Sequence, residues 1–157
     1  MGKKNKKEKL EYRMYGLVPY NISPIQQGIQ YGHAVVEYGL RKRMVKGYKQ
    51  WAKKDKTFII LNGGTTNMNP FYLGTINQHR ETLLQNGIHI AEFHEPDLGD
   101  QLTAVVFLVD ERVFNKKKYP NNEDILLVKD NWRLKLPKSE VTKIDFLREF
   151  LSQFRLA

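Results

Sequence analysis

The pattern of hydrophobic and polar positions predicts a chain that alternates between strands and helices. Alternating β-forming residues over Tyr12–Val18 predict a first strand. Ser23 followed by Pro24 combines an N-cap with a proline at the first helical position, so a helix is expected to begin there. The predicted apolar side of this helix consists of Ile25, Ile29, Val36 and Leu40.

The middle of the chain continues this alternation. Residues 46–54 predict a second, short helix, and the compact β-rich run 56–64 (KTFIILNGG) is typical of a central strand buried on both faces. Asn69 and Pro70 repeat the arrangement of cap and proline, which predicts a helix that starts there and ends near Asn86.

The last part of the chain completes the predicted architecture. Residues 88–96 and 102–110 predict two strands, and the short acidic turn between them favours an antiparallel pair. Residues 111–122 predict a polar loop, 124–136 a hairpin or extended arm, and 140–154 an amphipathic helix. The fold class expected is therefore α/β, a three-layer α/β/α arrangement with a four-stranded mixed sheet plus a C-terminal amphipathic helix.

The first helix carries a continuous polar stripe. Its members are Gln26, Gln30, His33 and Glu37. Such a stripe is either a solvated surface or the wall of a reaction site. A helix that follows a first strand begins near the carboxyl end of that strand, where open sheets bind ligands, and the loops after the second and third strands should open there too. Gly28 and Gly32 in the same helix predict the close approach of a backbone or ligand.

Composition and charge add a polyanionic partner to this picture. The chain has 157 residues, a net charge of +9 and no cysteine, which fits one domain and excludes disulfides, thiolate metal sites and a cysteine nucleophile. Residues 1–10 carry five lysines and predict a flexible basic tail. Residues 41–56 carry eight cations with Tyr48 and Trp51 between them, which favours RNA over an anionic protein or membrane surface. The predicted nucleic-acid-binding residues are Arg41, Lys42, Arg43, Lys46, Lys49, Lys53 and Lys54.

Neither a membrane span nor a metal site is predicted. The longest apolar runs are far shorter than the roughly 20 residues of a membrane span, and the basic start lacks a signal peptide's apolar region, so we expect a cytoplasmic protein. His89 and His94 fall on opposite faces of the third strand, where Glu92 shares the face of His94. His79 lies in a polar helical stretch and is expected at the surface. No metal and no cofactor is predicted.

Two segments of the chain resemble the type 2 peptidyl-tRNA hydrolase family. The stretch SPIQQGIQYGHAVVEY, followed by YKQWAKKDKTFIIL, is similar to the family's capped helix with its Gly-Lys-x-Ala-Ala-Gln-x-x-His-Ala signature and to the short helix and strand after it. The matching signature residues are Gln30, His33 and Ala34. The stretch QNGIHIAEFHEPDLGDQLTAVVFLV resembles the family's third and fourth strands, so the resemblance covers about residues 12–110.

The resemblance implies a function and a set of roles. It implies tRNA as partner and cleavage of the ester between a peptide and the tRNA. His33 would polarise or position a water, and Glu95, or Asp97 in a shifted register, would act as base. Gln26 and Gln30 would orient the terminal adenosine or the ester carbonyl. Gln26 stands where the signature has a lysine.

Three functions therefore remain open from the sequence. The first is a peptidyl-tRNA hydrolase, a divergent member that would suit a phage genome. The second is a catalytically impaired module of the same fold that binds tRNA, another nucleic acid or a protein partner. The third is an interaction protein whose C-terminal helix docks on a partner or forms a homodimer. The expected organisation is a tail at 1–10, a core at 11–110, and a loop, arm and helix packed on the core at 111–157; in the third case the helix would bind a partner instead.

Overall fold

The computed structural model describes residues 9–120 and 138–157, which contain four strands and five α-helices. The strands are β1 (Tyr12–Val18), β2 (Thr57–Asn62), β3 (Ala91–Glu95) and β4 (Gln101–Asp110). The helices are α1 (Pro24–Arg41), α2 (Tyr48–Gln50), α3 (Thr75–Gln85), α4 (Glu111–Phe114) and α5 (Lys138–Ser152). A π-helical turn, Trp51–Asp55, continues α2, and a 3-10 turn, Pro96–Leu98, follows β3.

The strands form one mixed sheet in the order β2-β1-β4-β3. β1 and β2 are parallel, whereas β4 is antiparallel to both β1 and β3. As a result β1, β2 and β3 all end at one edge, called here the carboxyl edge, where β4 begins. The opposite edge, where these three strands begin, is called the amino edge. The mixed four-stranded sheet and the antiparallel pairing of its last two strands confirm the predicted fold class.

Helices cover both faces of this sheet and complete the three layers. On one face α1 packs mainly against β4 and β3, with Tyr31, Ala34 and Tyr38 as its buried side chains. On the other face the core combines α3 and α5 with the inward side chains of the strands. Its members from α3 and α5 are Ile76, Leu83, Ile144, Leu147 and Phe150. The C-terminal helix therefore buries its apolar face on its own sheet, so that face is not free to bind a partner.

The apolar face predicted for α1 is wrong. Ile25, Ile29, Val36 and Leu40 are 77, 43, 63 and 71% exposed. The buried face is instead formed by Tyr31, Ala34 and Tyr38 together with Gln30. The ring of Tyr31 lies across Gly16 in β1, and its hydroxyl donates a 2.7 Å hydrogen bond to the Met14 carbonyl oxygen. Tyr31 and Tyr38 bury large ring surfaces, and this outweighs the aliphatic stripe.

The close approach of another backbone predicted at Gly28 and Gly32 is also wrong for the described residues, while the approach of a ligand stays a prediction. A Cβ atom added at either glycine would meet nothing within 4 Å. Both glycines lie on the outward side of α1, so no neighbouring backbone of the described chain compensates for their lower helix propensity.

The strand β2 is an edge strand, not the central strand predicted from its apolar run. It pairs with β1 alone in the sheet order, and Phe58 is 56% exposed. The chain's last residues protect its outer side, because the Asn62 N–H donates to the Arg155 carbonyl and the Ala157 N–H donates to the Ile60 carbonyl, both at 2.9 Å. An apolar run alone cannot distinguish a central strand from an edge strand covered by a tail.

The helix predicted from Asn69 begins six residues later, at Thr75. Residues 67–73 form a loop because its asparagines cap turns: the backbone N–H of Asn69 donates to the Asn67 side chain at 3.0 Å, and that of Phe71 to the Asn69 side chain at 2.9 Å. The end of α3 agrees with the prediction, since Gly87 takes the left-handed conformation at φ 71°.

The segment after β4 is more ordered than the polar loop predicted for it. Residues 111–114 form α4, which Asp110 caps by accepting a 2.8 Å hydrogen bond from the Arg112 N–H. Tyr119 is buried at 2% exposure. The predicted arm at 124–136 and most of the basic tail at 1–10 lie outside the described residues.

Candidate active site at the carboxyl edge

Gln30 is the centre of a polar cluster at the carboxyl edge. Its side chain is fully buried although it lies on the helix face predicted to be polar. The amide nitrogen Nε2 donates to Glu95 Oε2 at 2.7 Å and to Gln26 Oε1 at 3.1 Å. The amide oxygen Oε1 accepts a hydrogen bond from the Thr103 hydroxyl at 2.7 Å. These partners on three elements fix the orientation of the amide, with its nitrogen toward the carboxylate.

Glu95 is an ionised carboxylate held in place by two donors. Oε2 receives the bond from Gln30, and Oε1 accepts a 3.2 Å hydrogen bond from the Asp97 backbone N–H. The hydrogen bond from Gln30, then that from Asp97, and the nearby His33 together hold the pKa of Glu95 below its ordinary value. At neutral pH this group is therefore deprotonated and has a defined orientation.

His33 lies in the same region, one helical turn beyond Gln30. Its imidazole is exposed and packs against the Phe93 ring, with the ring centroids 4.4 Å apart. Phe93 precedes Glu95 by two residues on β3, so the contact fixes the imidazole on the side of the carboxylate. The histidine is accessible to a molecule that approaches the cluster from solvent.

The two acidic candidates differ in what they contact. Glu95 reaches Gln30, while Asp97 lies in the exposed 3-10 turn and contributes its backbone N–H to Glu95. Gln26 is exposed, and its amide oxygen accepts from Gln30. The structure thus brings together Gln26, Gln30, His33 and Glu95, with the side chain of Asp97 at the margin.

Three loops meet around this cluster, as their positions after the strands predict. Asn21, just before α1, exchanges two hydrogen bonds with the backbone of Thr66 in the loop after β2, at 2.7 and 3.1 Å. The Tyr20 N–H donates to the Gly64 carbonyl at 2.8 Å. A Cβ atom at Gly99, in the turn after β3, would lie 2.8 Å from the sulfur of Met68, so these two loops are in contact.

The predicted nucleic-acid-binding residues lie at the opposite edge of the sheet. The segment 41–56 connects the end of α1 to the start of β2, and both of these lie at the amino edge. Along α1, Arg41 is about 16 Å from Gln30 at the usual rise of ~1.5 Å per residue. Arg41, Arg43, Lys46, Lys49, Lys53 and Lys54 are exposed and Lys42 is half-exposed. Arg41 forms an ion pair with Glu37 at 2.9 Å, which partly neutralises it.

Of the two aromatic residues within this basic segment, Trp51 belongs to the core and Tyr48 is half-buried against it. Trp51 is 4% exposed, and its indole N–H donates to the Thr57 carbonyl at 2.9 Å. Its ring packs between Tyr48 and Phe58, with centroids 5.9 and 5.5 Å away. The expectation that these aromatics would assist RNA contact is therefore wrong for Trp51, because a base cannot reach its buried face.

Two of the other histidines have structural partners. His79, expected at the surface, is half-buried, and its ring meets those of Phe150 and Phe154 edge-on at 5.9 and 4.8 Å. Burial lowers the pKa of His79. His94 shares a face with Glu92 as predicted, and its Nε2 lies 2.8 Å from Glu92 Oε2. Arg80, from α3, donates to the same oxygen at 2.7 Å.

Acid should weaken the cluster of Arg80, Glu92 and His94. Burial raises the pKa of Glu92, but the hydrogen bonds from Arg80 and His94 lower it by more than burial raises it. The pKa of Glu92 in the folded protein therefore lies below the ordinary 4.5. The ionised Glu92 therefore stabilises the fold fully above its pKa in the unfolded chain, and this stabilisation is lost as pH falls through its pKa in the folded protein. We expect Glu92→Gln to lower the free energy of unfolding by about 1 kcal/mol at neutral pH and by much less in acid.

Urea unfolding at several pH values measures this difference. The matched control is Glu81→Gln, because Glu81 also contacts Arg80 but its side chain is 56% exposed. The control should change stability little at any pH. A Glu92→Gln effect that is as large in acid as at neutral pH would refute the ion-pair explanation.

Thr103 is the site residue that sequence reasoning missed. It is fully buried, and its hydroxyl binds Gln30 and is also 3.2 Å from the Phe93 carbonyl. The signal that could have found it is a threonine within the otherwise apolar run of β4. A buried hydroxyl in such a strand requires a partner, and a buried helix amide can supply one.

The described residues contain neither a candidate metal centre nor a membrane span. Across 9–120 and 138–157, no three His, Cys, Asp or Glu side chains are grouped so that they could hold a metal ion. In the same ranges no helix has both the length and the apolar character needed to cross a membrane.

Comparisons with known proteins add no family assignment. No protein-family model matches the chain, and no curated protein matches it in sequence.

Proposed function

We propose that the chain hydrolyses the ester between a peptide and the 3′ ribose of tRNA, in the cytoplasm, as a divergent relative of the type 2 peptidyl-tRNA hydrolases. The observation that carries this proposal is the 2.7 Å hydrogen bond from the buried Gln30 amide to the carboxylate of Glu95. It joins the glutamine of the signature to the residue that the resemblance assigns as base. His33, the other signature residue, lies beside the same carboxylate.

In this proposal Glu95 acts as general base. Its carboxylate accepts a proton from a water molecule, whose oxygen attacks the ester carbonyl carbon. The bond from that carbon to the ribose 3′ oxygen then breaks, and the proton is returned to this oxygen as the ribose hydroxyl forms. His33 positions the water, while the amides of Gln26 and Gln30 orient the substrate.

Gln26 limits the rate in this scheme. A lysine at this position would place a positive charge near the developing oxyanion, whereas the neutral amide of Gln26 accepts a hydrogen bond from Gln30. A lost oxyanion donor typically costs about 10² to 10³ in rate. We therefore expect turnover that is slow for this class of enzyme.

The exposed cations at the amino edge would hold the RNA phosphates. Reversing two of them, Arg43→Glu with Lys46→Glu, should weaken tRNA binding and make the salt dependence shallower by about one unit for each phosphate that the protein no longer neutralises. Filter binding over a range of salt concentrations measures both quantities. The control, Lys116→Glu with Lys117→Glu, changes the net charge equally at exposed positions outside this segment. Equal weakening by both pairs would mean that net charge alone attracts the tRNA.

A second candidate is an RNA-binding module without catalysis. Two observations favour it: Gln26 replaces the signature lysine, and the cations lie at the edge opposite the Gln30 cluster. This module would bind tRNA with the same salt dependence and would release no peptide. Glu95→Gln would then have no peptide release to reduce, which separates the two candidates.

A further inference from the structure

Large apolar side chains face solvent in two segments that border the candidate active site, the start of α1 and the loop after β2. They are Ile25, Ile29, Met68, Phe71, Tyr72 and Leu73, and we call this set the apolar rim. Phe71 is 87% exposed and Tyr72 75% exposed, while Ile25 reaches 77%. Single exposed apolar residues are ordinary, but a group of this size at one edge marks an interaction surface.

The apolar rim is attached firmly to the edge that carries Glu95. Thr65 and Thr75 hold the two ends of the 67–73 loop together, since the Thr65 N–H donates to the Thr75 hydroxyl at 2.8 Å. Met68 rests against the Gly99 turn that follows Glu95. The remaining two members lie in the first two turns of α1, directly before Gln30.

The charge of this edge is poorly suited to a run of RNA phosphates and favours a different partner. The segments that reach this edge, residues 17–33, 60–79 and 93–103, contain no lysine or arginine. The turn after β3 adds the carboxylates of Glu95, Asp97 and Asp100. Arg155 lies toward the β2 side, where it lines a groove with Tyr20 and Asn62. An apolar and acidic surface is complementary to apolar side chains without negative charge.

We propose that the apolar rim binds the peptide portion of the substrate and selects apolar peptides that lack acidic residues. This inference rests on the proposed function, because an ester at Glu95 has RNA on one side and a peptide on the other. The cations at the amino edge suit the RNA side, which leaves the rim to the peptide. The exposed rings of Phe71 and Tyr72 supply the largest apolar surface for the peptide.

Free peptides test this inference without any hydrolysis. Two probes share one apolar core and differ in end charge: acetyl-Lys-Leu-Phe-Leu-Lys-amide and acetyl-Glu-Leu-Phe-Leu-Glu-amide. Titration of the full chain, followed by NMR, should give an affinity for the lysine peptide at least about tenfold higher, a difference of ~1.4 kcal/mol. Asp97→Asn with Asp100→Asn should reduce this preference, since Asn tolerates the positive φ of 60° at position 100.

Variants of the rim locate the bound peptide. Phe71→Ser with Tyr72→Ser should weaken binding of the lysine peptide by about tenfold or more, since both aromatic rings are removed from the peptide-binding surface. The melting temperature should not change, because both rings are exposed. The matched control, Leu40→Ser with Met44→Ser, removes two side chains that are 71 and 80% exposed toward the amino edge and should leave binding unchanged.

Three results would overturn the inference. The first is equal affinity for the two peptides, and the second is unchanged binding in Phe71→Ser with Tyr72→Ser. The third is that the chain binds a short single-stranded RNA and that Phe71→Ser with Tyr72→Ser abolishes this binding. The apolar rim would then bind unpaired bases and not a peptide. Peptide binding without ester hydrolysis would support the apolar rim as a peptide-binding surface and refute the proposed hydrolysis. A failure of one proposal can therefore be told from a failure of the other.

Discussion

Glu95→Gln should reduce the release of peptide from peptidyl-tRNA by about 10² to 10⁴, the usual contribution of a general base. The substituted amide has the shape of the carboxylate and can still accept the hydrogen bond from Gln30, but it cannot accept a proton from water at neutral pH. The fold and tRNA binding should be retained. Single-turnover kinetics with enzyme in excess measure the chemical step without product release.

Asp97→Asn is the matched control for this experiment. Asp97 contributes its backbone N–H to Glu95, and its side chain lies in the exposed turn. On a substrate whose peptide carries no charge, the variant should keep most of the activity, because Asp97 bonds to Glu95 through its backbone. If Asp97→Asn abolished release and Glu95→Gln did not, the base would be Asp97, in the shifted register that the sequence left open.

Gln30→Ala should lower the free energy of unfolding by about 2 to 4 kcal/mol. The change leaves a cavity beneath α1, and the buried Thr103 hydroxyl loses its 2.7 Å acceptor. Glu95 loses the donor that contributes most to holding its pKa down, so that pKa should rise toward its ordinary value. Urea unfolding measures the first effect and NMR titration of the carboxylate the second.

Gln26→Ala is the control for Gln30→Ala. Gln26 also contacts the Gln30 amide, but it is exposed, so its removal should change stability by at most a few tenths of a kcal/mol. Equal destabilisation by the two variants would contradict the view that Gln30 is the buried support of the cluster.

Local signals in the sequence predicted the part of the fold that positions the site. Ser23 and Pro24 define the start of α1, and the observed N-cap bond from the Gln26 N–H to the Ser23 hydroxyl follows from that pair. The period of the helix then fixes which residues share a face with Gln30. These predictions hold because a cap and a helical period depend on residues close together in the chain.

The face that α1 buries could not be predicted in the same way. The helix carries an aliphatic stripe and a stripe with Tyr31 and Tyr38, and both have helical spacing. The choice depends on interactions between residues distant in sequence, such as the Tyr31 ring over Gly16 and its hydroxyl on Met14. The hydrogen bond between Thr103 and Gln30 joins residues 73 positions apart, so it could not be predicted from local sequence patterns either.

The position of the basic segment could be predicted from the order of the elements. A helix that starts at the carboxyl edge must end at the amino edge, so residues after Arg41 lie far from the start of α1. Net charge indicated a polyanionic partner but did not locate it relative to the polar stripe. The topology separates the two, and any substrate bound by both must extend along the length of α1.

Single-turnover release of peptide from peptidyl-tRNA, with the wild-type chain in excess, decides most directly whether the chain is a hydrolase. We expect slow but enzyme-dependent release that yields free peptide and tRNA with an intact 3′ hydroxyl. Release no faster than spontaneous ester hydrolysis, under conditions where filter binding shows the tRNA to be bound, would contradict the proposed hydrolysis and identify a binding module.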